Sequence, residues 1–145
     1  METRAATQIA PLVVVVTPVA EDSAMVCEVL GALDWPVARF ATLEEAKPAM
    51  ERASVVLCDA EMPDGNWREA VETLEGFVDP AMLVVASRLA DERLWSEVLN
   101  EGGHDVLAKP FRPAEVLQSI ASAYRWRDTC TGWRRKLKGH ASPVI

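Results

Sequence analysis

Two residues of opposite charge, Asp59 and Lys109, each close a short apolar run. The runs span residues 55–58 and 106–108, and each has the length and composition of a buried strand. Because the carboxyl ends of parallel strands meet at one edge of a sheet, the two side chains are expected to share a crevice. A carboxylate there can act as a nucleophile, and an ammonium group can neutralise a transferred phosphoryl group. The pattern therefore indicates phosphoryl chemistry on an aspartate.

The rest of the chain alternates between strand-like and helix-like segments. Short apolar runs predict five strands, at residues 12–16, 37–40, 55–58, 82–86 and 106–108. Apolar residues at three- and four-residue spacing predict helices over 21–33, 42–52, 90–101 and 112–126, with a further helix after the turn at residues 63–65. Pro48 predicts that the second helix is short or kinked. Right-handed crossovers make this alternation an open parallel sheet with helices on both faces.

Length and composition predict one globular domain. The chain has 145 residues, of which 50% are hydrophobic and 26% charged, a balance that supports a packed core. The longest apolar stretch near the start is too short to span a bilayer, and no signal-peptide pattern accompanies it. Cys27, Cys58 and Cys130 match neither a disulfide framework nor a zinc pattern. We therefore expect a reduced, cytoplasmic protein with Cys58 in its core.

The net charge of −7 hides two regions of opposite sign. Residues 1–124 contain 9 Lys/Arg and 21 Asp/Glu, whereas residues 125–145 contain 6 Lys/Arg and one Asp. We predict a flexible N-terminus (1–10), a folded domain (11–125) and a basic C-terminal tail (126–145). The tail, with Trp126 and Trp133, suits nucleic acid, an anionic membrane or the acidic body of a second copy. A solvated helix extension accounts for it equally well.

Residues 11–125 resemble the receiver domain of two-component response regulators. The matching pieces are Asp59 with the Met62-Pro63 pair and Gly65, Ser87 after the fourth predicted strand, and the segment 109–111 after the fifth. The resemblance implies a flavodoxin-like, three-layer α/β/α sandwich with a five-stranded parallel sheet of order 2-1-3-4-5.

The resemblance also implies a role for three side chains. Asp59 would be the phosphoacceptor, taking a phosphoryl group from a sensor histidine kinase or a phosphotransfer protein. Lys109 would pair with Asp59 and then with the phosphoryl oxygens, and Ser87 would supply the switch hydroxyl. Such a protein is a phosphoacceptor rather than an enzyme, with slow autodephosphorylation at most.

The sequence departs from the family's pattern at the end of the first strand. Typical receivers have two acidic residues there that hold Mg²⁺, whereas this chain has Thr17 and Pro18. The remaining ligands are Asp59, the backbone carbonyl of Glu61 and waters, so Mg²⁺ is expected to bind weakly. Glu21 and Asp22, in the first turn of the next predicted helix, could reach such an ion only through its waters. No other cofactor is expected.

Three further positions also differ from the pattern. Arg88 follows Ser87 where a small residue is usual, and it could cover the pocket, bind an anion in place of the metal, or face outward. Val106 stands where many receivers have a Tyr or Phe that rotates on activation. Trp67 stands where many relatives have glycine, and it could lid the pocket or pack at the helix start.

Two functional hypotheses follow. The first is a single-domain response regulator that signals by protein–protein interaction through residues 90–125, with a homodimer as one option and no DNA-binding domain. The second is a pseudo-receiver, an adaptor or dimerisation module that works without Mg²⁺-dependent phosphorylation; Thr17, Pro18, Arg88 and Val106 favour it. A haloacid dehalogenase phosphatase needs an acidic motif after the first strand, and a flavodoxin needs a Ser/Thr-rich loop there. Both are therefore disfavoured.

Overall fold

The computed structural model describes the backbone of residues 12–141 and the side chains of residues 12–129. The predicted flexible N-terminus, residues 1–10, lies outside the described residues. The side chains of the predicted basic tail from residue 130 onward also lie outside them. The division of the chain into these segments therefore stays a prediction.

Strands and helices alternate along the described chain as the sequence predicts. The strands are β1 (Val13–Val16), β2 (Val37–Phe40), β3 (Val55–Asp59), β4 (Glu61–Met62), β5 (Gly65–Asn66), β6 (Met82–Ser87) and β7 (Asp105–Ala108). The helices are α1 (Ala20–Gly31), α2 (Leu43–Met50), α3 (Trp67–Glu75), α4 (Glu92–Asn100) and α5 (Pro113–Ala141).

Five of the strands form one parallel sheet with the order β2-β1-β3-β6-β7. Counted among these five strands alone, the order is 2-1-3-4-5, so the predicted flavodoxin-like sandwich is confirmed. The remaining two strands, β4 and β5, form a small antiparallel hairpin that was not predicted as strand. The predicted turn at residues 63–65 lies in this hairpin.

The two faces of the sheet bury separate hydrophobic cores, because successive side chains of a strand point to opposite sides. Val13 and Val15 of β1 pack in a core with residues of α1 and α5. Val14 and Val16 pack in the other core with residues of α2, α3 and α4. All four valines are at most 1% exposed, which explains why β1 is a continuous apolar run. Cys58 is fully buried in the second core, as expected.

Helix α2 begins at two caps. The Thr42 hydroxyl accepts a hydrogen bond from the backbone N–H of Glu45 at 3.3 Å, which is the predicted N-cap. The Asp64 carboxylate, from the β4–β5 turn, accepts from the N–H groups of Leu43 at 3.0 Å and Glu44 at 2.9 Å. These backbone hydrogen bonds lower the pKa of Asp64 below its ordinary value. The helix contains Pro48 and is eight residues long, so it is short, as Pro48 predicts, and narrower than the predicted range 42–52.

Helix α5 is much longer than predicted. Its backbone runs without interruption from Pro113 to Ala141 and passes through the predicted domain boundary at residue 125. Within the extension, Arg127 donates a hydrogen bond from Nη2 to the backbone carbonyl of Asp79 at 2.9 Å. This contact joins the helix to the segment before β6.

Among the helices in the described part of the chain, none is long and apolar enough to cross a membrane.

The double cap of α2 predicts a pH-dependent stability that Asp64→Asn should reduce. A carboxylate with a lowered folded-state pKa stabilises the fold above its unfolded pKa of about 3.9, and this contribution is lost as pH falls through the folded pKa. In urea unfolding, the wild type should be more stable than Asp64→Asn at pH 7. The difference should narrow as pH falls below about 4. The control Thr42→Val removes an uncharged cap, so the loss of unfolding free energy that it causes should not change with pH. A constant difference for Asp64→Asn would contradict the assignment.

Candidate functional site

Asp59 and Lys109 meet at the carboxyl edge of the sheet, as their positions predict. Asp59 is the last residue of β3, and Lys109 directly follows β7. The Lys109 ammonium lies 3.0 Å from each of the two carboxylate oxygens of Asp59. Both side chains are almost buried, at 8% and 11% exposure for Lys109 and Asp59. Because water screens such a pair little, each charge depends on the other for compensation.

Thr17 occupies the place of the missing acids and supplies a hydroxyl in their stead. It follows β1, and its Oγ1 donates a hydrogen bond to Oδ2 of Asp59 at 2.8 Å. The same oxygen accepts from the backbone N–H of Val19 at 3.1 Å, which fixes the turn that leads into α1. Thr17 is buried, whereas the neighbouring Pro18 is exposed. Of the two predicted pocket modifiers here, Thr17 is the one that hydrogen-bonds to Asp59.

A second carboxylate reaches the site from an unexpected position. Asp22, in the first turn of α1, places its Oδ2 2.7 Å from the Lys109 ammonium. Glu21 and Asp22 were both expected to reach the site only through the waters of a metal ion; instead Asp22 forms a direct ion pair with Lys109, and Glu21 is exposed. One ammonium is therefore shared by two carboxylates, those of Asp22 and Asp59.

The open side of the site is a cavity of about 300 Å³. It is lined by Val19, Asp59, Ala60, Glu61, Ala86, Ser87, Arg88, Leu89 and Lys109. The Ser87 hydroxyl oxygen accepts a hydrogen bond from the N–H of Leu89 at 2.9 Å, and its own hydrogen remains available as a donor. Ser87 does not cap α4, because that helix is capped by Asp91. Arg88 is exposed and lines the cavity, which adds a cation at its rim.

The two remaining predicted modifiers, Trp67 and Val106, do not line this cavity. Trp67 is 3% exposed and packs in the core beneath α2, α3 and α4, so it packs at the helix start rather than lidding the pocket. The guanidinium of Arg68 lies 4.5 Å from its ring centroid. Val106 is half-buried beside the same core and lines a larger groove, between α4, β7 and α5.

The side chains at the site fit a divalent cation poorly. Mg²⁺ prefers several oxygen ligands in near-octahedral geometry. Here both oxygens of Asp59 are engaged by Lys109, and one is also engaged by Thr17. Within residues 12–129, no group of three or more His, Cys, Asp or Glu side chains could hold a metal ion. The weak Mg²⁺ site at Asp59 and the Glu61 carbonyl stays a prediction.

Cys58 neighbours the phosphoacceptor candidate but has no chemistry of its own. Complete burial raises the pKa of the Cys58 thiol, and the charge of Asp59 raises it further. A thiol held neutral in this way is a poor nucleophile. It therefore serves as a small core residue beneath the site.

Sequence reasoning missed the role of Asp22. The residue lies in a predicted helix, and an acid in the first turn is ordinarily explained by the helix dipole. One signal was available: α1 has no side-chain N-cap, because its N-cap residue is Val19. An acidic first turn directly after a strand that lacks the usual acids is therefore a candidate for the site.

The known proteins that this chain resembles in sequence or in structure include CheY and several receiver domains. No family model matches the chain. Over 77 residues, covering 53% of this chain and 60% of the other protein, it is 26% identical to the chemotaxis protein CheY of Thermotoga maritima. The aligned part thus spans less than two thirds of that relative.

Solved structures share the fold over most of the chain. A CheY-like response regulator receiver domain protein from Methanospirillum hungatei matches with a TM-score of 0.72 and 17% identity, covering 83% of this chain and 98% of that one. The beryllofluoride-activated NtrC4 receiver domain, solved as a dimer, matches with a TM-score of 0.72 and 21% identity, covering 80% and 98%. The fold implied by the sequence resemblance is thereby confirmed.

Replacing Lys109 by Met is expected to lower the free energy of unfolding by about 3 kcal/mol, because it leaves the nearly buried carboxylate of Asp59 and the half-buried one of Asp22 without a counter-ion. Urea denaturation at pH 7 measures this loss. The exposed ion pair of Lys47 with Glu44 gives a control, since Lys47→Met should cost under about 1 kcal/mol. In an Asp59→Asn background the Lys109→Met loss should be smaller; an equal loss in both backgrounds would show that the ion pair of Lys109 with Asp59 does not stabilise the fold.

Proposed function

We propose that this chain, a receiver domain of the kind found in two-component response regulators, accepts a phosphoryl group on Asp59 from a phosphohistidine. The donor would be a sensor histidine kinase or a phosphotransfer protein. The observation that supports this most directly is the position of Asp59 between Lys109 and the open cavity. A nearly buried carboxylate beside a cation and a cleft is arranged for nucleophilic chemistry.

The contacts distinguish the two oxygens of Asp59. Oδ2 accepts from both Thr17 and Lys109, whereas Oδ1 contacts Lys109 alone. Oδ1 is therefore the better nucleophile, because it has more lone-pair capacity free. In the transfer step an Oδ1–P bond forms and the P–N bond of the phosphohistidine breaks. The electron pair of that bond returns to the imidazole of the donor.

Three groups are placed to offset the charge that spreads over the phosphoryl oxygens. Lys109 is already within ion-pair distance of Oδ1. The Ser87 hydroxyl lines the cavity and can donate a hydrogen bond to a phosphoryl oxygen. Arg88, exposed at the rim, attracts the anionic donor. The product acyl phosphate would then hydrolyse slowly, which is the only activity we assign to the chain alone.

The output surface we propose is the groove between α4, β7 and α5, within residues 90–125. This groove has a volume of about 600 Å³, and Trp95 at its edge is 48% exposed. Its lining includes the acidic residues Asp91, Glu92, Asp105 and Glu115. A basic partner surface suits it, and residues 125–145 of a second copy have the required charge. The partner could equally be a downstream protein with such a segment.

A second candidate function has its own support. Both oxygens of Asp59 are engaged, and the acids that would bind Mg²⁺ are replaced by Thr17 and Pro18. A pseudo-receiver could keep these contacts permanently as a structural element and use the same groove as an adaptor or dimerisation surface. The two candidates differ in whether Asp59 ever gains a phosphoryl group.

Labelling with an acyl phosphate or a phosphorylated histidine donor separates the two functions. The wild type is expected to gain one phosphoryl group, detected by intact-protein mass spectrometry, and Asp59→Asn is expected to gain none. Asp64→Asn is the matched control, because it removes an exposed acid of the adjacent hairpin, and its labelling should equal that of the wild type. Absence of labelling in the folded wild type, with every donor, would favour the pseudo-receiver.

Self-association through the groove is expected to depend on Trp95. Trp95→Ala should weaken the dimer by about tenfold, since large aromatic side chains are frequent anchors of interfaces. Sedimentation velocity over a concentration series measures this, and added salt should weaken the dimer further. Val78→Ala, which alters an apolar residue that is 77% exposed outside the groove, is the control. A wild type that stays monomeric would leave a downstream protein as the only partner of the groove.

A further inference from the structure

The contact between Asp22 and Lys109 is shorter than either contact between Asp59 and Lys109. The ammonium lies 2.7 Å from Asp22 and 3.0 Å from each oxygen of Asp59. Asp22 is 21% exposed, while Lys109 is 8% exposed. The lysine is thus held from two sides by carboxylates that belong to different segments of the chain.

The turn after β1 produces this arrangement. The Thr17 hydroxyl accepts from the N–H of Val19 and donates to Asp59, so the turn that leads into α1 is tied to the carboxylate. Asp22 then lies in the first turn of α1 and faces Lys109. One segment of six residues therefore supplies both a neutral contact to Asp59 and a charged contact to its partner.

Two carboxylates that converge on one point can bind a divalent metal ion when no other cation lies between them. Here the position is taken by an ammonium group of the chain itself. Because the ammonium is nearly buried, its removal from water has to be compensated, and two carboxylates do this better than one. Asp22 therefore helps to compensate the nearly buried charge of Lys109.

We propose that Lys109 is the resident cation of this site, held beside Asp59 by Asp22, and that it supplies the positive charge that a divalent metal ion would otherwise supply. Asp22 is then a positioning residue that keeps the ammonium beside Asp59. The consequence for phosphorylation rests on the proposed function: Asp59 accepts a phosphoryl group without Mg²⁺. The metal-binding consequence does not depend on phosphorylation.

Removing the resident cation should create a metal site. Titration with Mn²⁺, followed by electron paramagnetic resonance, should detect no site in the wild type. Lys109→Met should bind Mn²⁺ at least about tenfold more tightly than the wild type, and Lys109→Met/Asp22→Asn should lose most of this gain. Lys109→Met/Glu21→Gln is the matched control, because Glu21 is an exposed neighbouring acid of the same helix turn, and its affinity should equal that of Lys109→Met.

Three outcomes would overturn the inference. The first is a wild-type Mn²⁺ site that disappears in Asp59→Asn. The second is Lys109→Met binding Mn²⁺ no better than the wild type. The third is an equal gain with and without Asp22. If Lys109→Met fails to fold alone, Mn²⁺ should restore a cooperative thermal unfolding transition, because a ligand that binds only the folded state stabilises it. Failure to do so would also count against the resident cation.

The Mg²⁺ dependence of phosphorylation is tested with the wild type and one acyl phosphate donor. Labelling rates in EDTA and in excess Mg²⁺ should agree within about twofold. Such a ratio corresponds to a much smaller change in activation free energy than a tenfold effect would. Labelling that requires Mg²⁺ would overturn the inference while leaving the proposed function intact. No labelling under either condition would instead overturn the proposed function, and the Mn²⁺ titrations would still decide the role of Asp22.

Discussion

The structure around the site depends on one nearly buried ammonium group that is shared by two carboxylates. Lys109, Asp59 and Asp22 come from three separate segments, after β7, at the end of β3 and at the start of α1. Each of these charges would be costly to bury alone, by several kcal/mol. The parallel sheet solves this problem because its order places β1, β3, β6 and β7 side by side, with their carboxyl ends at one edge.

Sequence reasoning predicts the parts of the site that strand patterns fix. Asp59 and Lys109 follow apolar runs, and in a parallel sheet the ends of such runs must meet. Asp22 could not be predicted in the same way, because its position depends on how the chain turns after Thr17. That turn is set by one hydroxyl hydrogen bond to the N–H of Val19, which leaves no trace in hydrophobic periodicity.

The same distinction applies to the fold. The sheet and its helices were predictable because both faces of the sheet bury apolar residues, which produces strong patterns. The β4–β5 hairpin has strands of two residues each, too short for any periodicity. The cap that Asp64 gives to α2 joins segments that are 20 residues apart in sequence. Between residues 113 and 129 of α5, where burial is described, the last fully buried residue is Ala123, whereas the helix backbone continues to Ala141, so the core pattern used to predict helices ends before the helix does.

The site and the groove are connected through backbone rather than through a rotating ring. The N–H of Lys109 donates to the carbonyl of Ser87 at 3.0 Å, which ties the ends of β7 and β6 together. Ala108, the residue before Lys109, lines the groove beside Val106. Val106 has no aromatic ring that could rotate when the site changes. Any coupling between the site and the groove must therefore move the end of β7 itself. Lys109 is held by Asp22 at that end, so a phosphoryl group gained on Asp59, as we propose, would act on β7 through the one side chain that binds both carboxylates.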